Sequence, residues 1–379
     1  MSQLRSDIDD ASVVVSPMYQ RDLVAAHGGL AASDSARQPF FRLRASSDQL
    51  DGTIHLPTGI GTLLQAYVEP RRVSDPGRGL LPDERRSVAA LVLDGILEIE
   101  SDGEFVRGLH AVGRLFDGPA SSLLQNVAEP TRSALDYAGA LLPIPASQLA
   151  SRLYRYGTSP VSPRWLARVP DASAVAEYLR VDELSRRALI ADWARVLSAS
   201  TEWLIFRRRG TLDHRANIGR VHKMYLGIAS EELGAALAAV ADDLFSSDAI
   251  AFKVAATPHG LRRADKCVAY FETRQALECA SERLGRRLAT ERPHPVPFAE
   301  SCPYSKHLWW GSDSAVREQD DDAVGTSGRY EVCSLVSHSL AIASTARNVT
   351  MPAIDFALLR LTLDGWELES FANTDWRVS

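Results

Sequence analysis

At 379 residues, with 45% hydrophobic and 24% charged side chains, the chain has a globular composition and suits two domains, or one with an extension. A formal charge of −6 argues against a dedicated nucleic-acid binder, which carries a basic excess, and no apolar run approaches the length of a membrane span. Four widely spaced cysteines (Cys267, Cys279, Cys302, Cys333) contain no CxxC pair and read as reduced thiols, neither a disulfide framework nor a metal site; with no signal pattern at the N-terminus, the expectation is a cytoplasmic protein.

In chain order, residues 1–38 are rich in Ser, Asp and Ala and read as a tail with one short apolar run at 13–15. Residues 39–145 read as an accessory domain for binding a peptide or partner. Apolar residues recur at helical spacing over 62–68, and Pro82-Asp83-Glu84 opens a second helix ahead of the apolar run 88–93. The segment 95–108 alternates around Asp102-Gly103, a strong hairpin signal. Helix followed by hairpin is the outline of a winged-helix unit, whose edge could pair with an extended peptide. Pro143-Ile144-Pro145 marks a boundary, after which 146–379 is expected to form the larger domain.

Residues 146–156, 172–180 and 182–199 read as helices. The period then changes to two, giving strands at 202–208, 220–228, 249–256 and 267–271, with helices at 231–245 and 273–288. Four prolines make 293–303 irregular, 318–322 is an acidic loop, and 332–346 is an apolar helix. The segments 356–363 and 366–371 read as a closing hairpin around Asp364-Gly365. The fold class expected is α+β, with a central, mostly antiparallel or mixed sheet.

Lysine is scarce. Only Lys223, Lys253, Lys266 and Lys306 occur against 42 Lys and Arg together. A GC-rich coding sequence explains the scarcity but not the clustering. Lysine can lose its proton on desolvation and act as a base, whereas arginine stays charged. Strand alternation divides the candidates. On 221–228 one face carries His222, Met224, Leu226 and Ile228; the other carries Val221, Lys223, Tyr225 and Gly227. Lys253 opposes Phe252 and Val254 on the next strand, and Lys266, Val268 and Tyr270 share a face on the third. If these strands are neighbours, Lys223, Tyr225, Lys253 and Tyr270 form one floor, with Arg262 and Arg263 at its rim. Such a floor suits holding a phosphate and supplying a neutral lysine as general base. Both are needed to eliminate phosphate from phosphoserine or phosphothreonine, with no metal or organic cofactor. Nucleotide, zinc-protease and serine-hydrolase motifs are absent; Gly59-Ile60-Gly61 is too short to cradle a nucleotide.

From residue 220 to about 346 the chain resembles the type III effector HopA family, including its relatives in class V lanthipeptide and thioamitide biosynthesis, and more distantly the effector phosphothreonine lyases. The resemblance rests on Val221-His-Lys-Met-Tyr-Leu-Gly-Ile228, Phe252-Lys253-Val254, Arg262-Arg-Ala-Asp-Lys-Cys-Val-Ala-Tyr270, the proline-rich segment 293–304 and Gly325-Thr-Ser-Gly-Arg329. It covers about a third of the chain. It implies a lyase that eliminates phosphate from a phosphorylated precursor peptide to leave dehydroalanine or dehydrobutyrine, alongside a partner kinase. By the same resemblance Lys253 is the base, Lys223 and Arg262 or Arg263 hold phosphate, Tyr270 is a site tyrosine and Arg329 a second arginine. The phosphothreonine lyases place a histidine where this chain has Tyr225, so the acid stays open among Tyr225, His222, His259 and His307. A non-catalytic partner that binds phosphopeptide or kinase is the alternative.

Overall fold

The computed structural model describes residues 4–17, 19, 40–44, 53–74, 84–117, 123–196, 202–210, 220–288, 290–314, 327–346 and 351–372. Near the N-terminus, β1 (Ser12–Val15) leads to a paired β2 (Phe40–Arg44) and β3 (Thr53–Pro57), then α1 (Thr58–Ala66) and β4 (Arg71–Arg72). Next come α2 (Glu84–Leu93) and the hairpin of β5 (Leu97–Ser101) and β6 (Glu104–Val106). Asp102 and Gly103 both take positive φ, 53° and 82°, which the two-residue turn requires. The expected tail is in part a structural strand: Val13 and Val15 are fully buried, and β1 is an inner strand of the sheet β4-β1-β5-β6. Three β-branched residues in a row suffice once partners lie on both sides.

Helices α3 (Glu129–Ala140), α4 (Ala146–Tyr154), α5 (Pro163–Arg168), α6 (Ala172–Tyr178) and α7 (Val181–Ile190) follow. The helix expected to run to 199 ends at 190. Asp192 takes φ 63°, and Trp193–Val196 becomes β7, an edge strand. Beyond it lie β8 (Trp203–Arg208), β9 (Arg220–Leu226), α8 (Leu233–Phe245), β10 (Ala249–Ala255) and β11 (Cys267–Phe271). The chain continues through α9 (Arg274–Arg287), β12 (Glu300–Ser301), β13 (Leu308–Ser314), α10 (Gly328–Thr345) and α11 (Ala353–Leu363). The expected closing hairpin is instead α11. Phe356 to Leu361 are all buried, so its helical period is masked by a shell that is apolar all round.

The fold is α+β. The larger sheet is antiparallel throughout, in the order β12-β13-β9-β11-β10-β8-β7. One face carries Met224, Leu226, Ala269, Phe271, Phe252, Val254 and Phe206, which pack against α8 and α9. A second core joins α2, β1 and β5 to Val332, Val336 and Leu340 of α10 and to the buried face of α11, so both ends of the chain share it. No helix among the described residues is long and apolar enough to cross a membrane.

Candidate active site

The chemistry-bearing side chains stand on the sheet face opposite α8 and α9. Because β11 lies between β9 and β10, register fixes who stands beside whom. Tyr270 is directly across from Lys223 on one side and Ala251 on the other; Val268 is across from Tyr225 and Lys253. On β13, Gly311 opposes Lys223 and Trp309 opposes Tyr225. Lys223, Tyr225, Tyr270 and Lys253 therefore share one face. Strand alternation puts His222 on the other.

The two lysines have different surroundings. The Lys223 side chain is 4% exposed; its Nζ pairs with the Asp313 carboxylate and lies 3.4 Å from Ser327 Oγ. Burial opposes its charge, but Asp313, with Tyr270 and Tyr154 behind it, outweighs burial and holds its pKa above the ordinary lysine value. Lys253 Nζ sits 4.5 Å from the ring centre of Trp203 and 5.5 Å from that of Tyr270, with no hydrogen bond or ion pair to any described residue. Burial, then the charge of Lys223, bring its pKa down to about 8. Tyr270 faces both, 5.6 Å from Lys223 Nζ at its ring centre.

The rim arginines separate. Arg263 forms a bidentate pair with Asp265 at 2.8 and 2.9 Å and lies against the rings of Tyr154 and Trp203. Arg262, its neighbour in sequence, instead pairs with Glu231 and stacks on Trp165. Arg329, in the first turn of α10, is 3% exposed. Its Nη2 donates to the Tyr154 carbonyl at 2.5 Å, its Nη1 lies 3.2 Å from Asp265, and its guanidinium covers the Tyr154 ring. Tyr154 ends α4, where carbonyls lack helical partners and a cation is favoured. Burial alone would raise the Asp265 pKa; Arg329 and Arg263 outweigh it and hold the carboxylate below its usual range.

Tyr225 is 4% exposed, and its phenol is held well above its ordinary pKa, first by burial and then by Asp313. It stays protonated and can donate. His259 is exposed and precedes a short 3-10 turn, while buried His307 is engaged through Nε2 with the Glu291 carbonyl at 2.7 Å and through Nδ1 with Ser305. Lys266 is fully buried, between the Arg263 carbonyl at 3.0 Å and His294 Nδ1 at 2.8 Å; His294 Nε2 donates to the Gly157 carbonyl at 2.6 Å. That chain of contacts fixes the bend carrying Arg263 and Asp265. Lys306 is exposed in the turn before β13.

Sequence reasoning passed over Asp265, Asp313, Tyr154 and Trp203. Asp265 lies inside the Arg262-Arg-Ala-Asp-Lys run, and Asp313 is in phase with the residue facing Lys223, so two of the four carried a signal. Together the cations Lys223, Lys253, Arg263 and Arg329 meet two carboxylates, Asp313 and Asp265, which leaves two positive charges in excess while Lys253 is protonated and one when it is neutral. Among the described residues no cluster of three His, Cys, Asp or Glu has the grouping that holds a metal.

No family model matches the chain, and no curated protein does. Among solved structures, it is similar to an effector protein from Pseudomonas syringae pathovar tomato, at 15% identity and a TM-score of 0.40, over 65% of this chain and 96% of that one. It is similar to the type III effector and phosphothreonine lyase OspF from Shigella flexneri, at 12% identity and a TM-score of 0.29, over 37% of this chain and 88% of that one. It is also similar to the phosphothreonine lyase SpvC, an effector from Salmonella, at 14% identity and a TM-score of 0.28, over 54% of this chain and 98% of that one.

Proposed function

We propose that the protein is a lyase that eliminates phosphate from phosphoserine or phosphothreonine in a peptide. The observation that carries the reading is Lys253: a mostly buried ammonium with no ion-pair partner among the described residues, its pKa near 8, on a floor with a surplus of positive charge. Arg262 is left out of the clamp because it pairs with Glu231 and stacks on Trp165 and does not join the Asp265 cluster that Arg263 and Arg329 share, and His222 is left out because it faces the other side of the sheet.

In this mechanism Lys223, Arg263 and Arg329 hold the phosphate. Neutral Lys253 Nζ takes the α-proton. The electron pair of the Cα–H bond becomes the Cα=Cβ double bond as the Cβ–O bond breaks and phosphate leaves with its electrons. Tyr225 gives its proton to the departing oxygen, and the peptide keeps dehydroalanine or dehydrobutyrine. The Tyr270 ring stands beside both lysines and lies against the Lys223 ammonium. The resemblance read from the sequence to proteins of lanthipeptide and thioamitide biosynthesis supports extending the reading to a ribosomal precursor peptide phosphorylated by a partner kinase.

A second reading, a phosphopeptide-binding partner without turnover, is favoured by one observation: tyrosine stands where the lyases have histidine. Incubating purified protein with a synthetic phosphothreonine peptide and weighing the peptide separates the two. Elimination removes phosphoric acid, hydrolysis leaves an alcohol, and binding leaves the mass unchanged. An unchanged mass with saturable binding would replace the first reading with the second.

A further inference from the structure

We infer that Asp313 is a positioning residue of this site: it ties Lys223 to the N-terminal turn of α10, sets the gap between sheet and helix where phosphate is held, and keeps Lys223 a cation. The inference rests on the phosphate-holding part of the lyase reading.

Asp313 lies on β13, opposite Val221 and two residues on from the Gly311–Lys223 pair, so it projects onto the lysine face. One carboxylate oxygen pairs with Lys223 Nζ, and the other accepts the backbone N–H of Gly328 at 2.7 Å. The helix start is pressed hard against the strand there. A Cβ on residue 328 would lie 2.5 Å from the Ser312 carbonyl oxygen and 3.3 Å from Asp313 Oδ1. Such spacing is open only to glycine, and the next residue along is Arg329.

Charges alternate through the site as a result: Lys223, Asp313 and the amide end of α10, then Arg329, Asp265 and Arg263. Lys253 stands outside this series. Two lysines thus share one sheet face, yet among the described residues only Lys223 has a carboxylate in contact. The groups facing Lys223 are Asp313 from β13, Tyr270 from β11, Tyr154 from α4, Ser327 ahead of α10 and, across the sheet, Lys253 from β10. Among them Asp313 is the carboxylate in contact. A buried ammonium without it would hold its proton less tightly, as Lys253 does.

Two substitutions separate the roles. Asp313→Asn keeps an oxygen for the Gly328 N–H and removes the charge; Asp313→Glu keeps the charge. With four lysines in the chain, ¹³Cε-lysine labelling gives four assignable signals. In the wild-type protein the midpoint of Lys223 lies above the ordinary lysine value of 10.5. In Asp313→Asn its midpoint falls toward that of Lys253, KM for the phosphopeptide rises roughly tenfold or more, and Asp313→Glu restores both. An unmoved Lys223 signal in folded Asp313→Asn, or equal losses in Asn and Glu variants, would overturn the inference. Absence of turnover in the wild-type protein would instead overturn the lyase reading, because the lysine titration does not depend on it.

Discussion

Replacing Lys253 with arginine tests the proposed base most directly, since arginine preserves the positive charge and cannot release its proton. Its size can be worked from the site. A lysine with a pKa of about 8 is neutral in about a tenth of molecules at pH 7. With the ordinary value of 10.5 it would be neutral in about one in three thousand, so burial and the neighbouring Lys223 raise the usable base roughly 300-fold. The same shift costs the charged form about 3 kcal/mol relative to water. In Lys253→Arg, kcat is expected to fall by roughly 10²- to 10⁴-fold, the usual share of a positioned base, while KM changes only a few-fold because the charge persists. In the wild-type protein kcat/KM should climb about tenfold per pH unit and level near pH 8, with the phosphate's second ionisation adding a limb near about pH 6. Phosphate release measured against pH with a phosphothreonine peptide reads all of this. Turnover within about tenfold of wild type in Lys253→Arg, or a flat kcat/KM between about pH 6.5 and 8.5, would refute the assignment.

Tyr225→Phe should lower kcat by about 10²-fold or more and leave phosphopeptide binding intact; the phenol makes no hydrogen bond to a described residue, so the melting temperature should barely move. Lys266 titrates at about 7 in the folded protein because burial disfavours its charge, against 10.5 unfolded. The unfolded chain therefore binds more protons in between: this contribution to stability is full above about pH 10.5 and lost as pH falls toward 7, at up to about 1.4 kcal/mol per pH unit. Urea unfolding of Lys266→Met at several pH values should show that slope removed. Gly227→Ala would place a Cβ 2.4 Å from the His294 carbonyl oxygen and 3.0 Å from the Trp309 ring, and should cost about 1–3 kcal/mol; Gly113→Ala, which meets nothing within 4 Å, should leave the melting temperature unchanged.

Legibility followed periodicity. Strands β8 to β11 alternate cleanly because one face is packed and the other is not, and their expected bounds lie within a few residues of those observed. Segments that are apolar on every side do not announce their period, which is why α11 was read as a hairpin. The stretch after α7 misled for another reason: apolar residues continue at helical spacing, but Asp192 in a left-handed conformation turns the chain into an edge strand. At the site, alternation identified the face shared by Lys223, Tyr225, Lys253 and Tyr270. It could not choose between Arg262 and Arg263, because both lie at a 3-10 turn and bend where no period applies. The carboxylates were missed because a search for phosphate binders looks for cations, although burying several cations together requires counter-charges.

The position of Arg329 shows what the rest of the molecule contributes to this site. The lysines and Arg263 belong to the large sheet, whereas Arg329 arrives on a helix whose other residues, Val332, Cys333, Val336 and Leu340, are buried in the core shared with α2, β1 and β5. That core is closed by charge as well as by packing. Arg360 of α11 makes a bidentate pair with Asp94 at 2.6 and 2.7 Å, and Arg86 of α2 donates to the carbonyls of Thr362 and Leu363. The N-terminal strands and the C-terminal helices therefore act as one support that holds α10 against β13. A cavity made in that support, such as Leu340→Ala, should loosen Arg329 while leaving Lys223 and Lys253 in register, because the sheet that carries them has its own core on the opposite face.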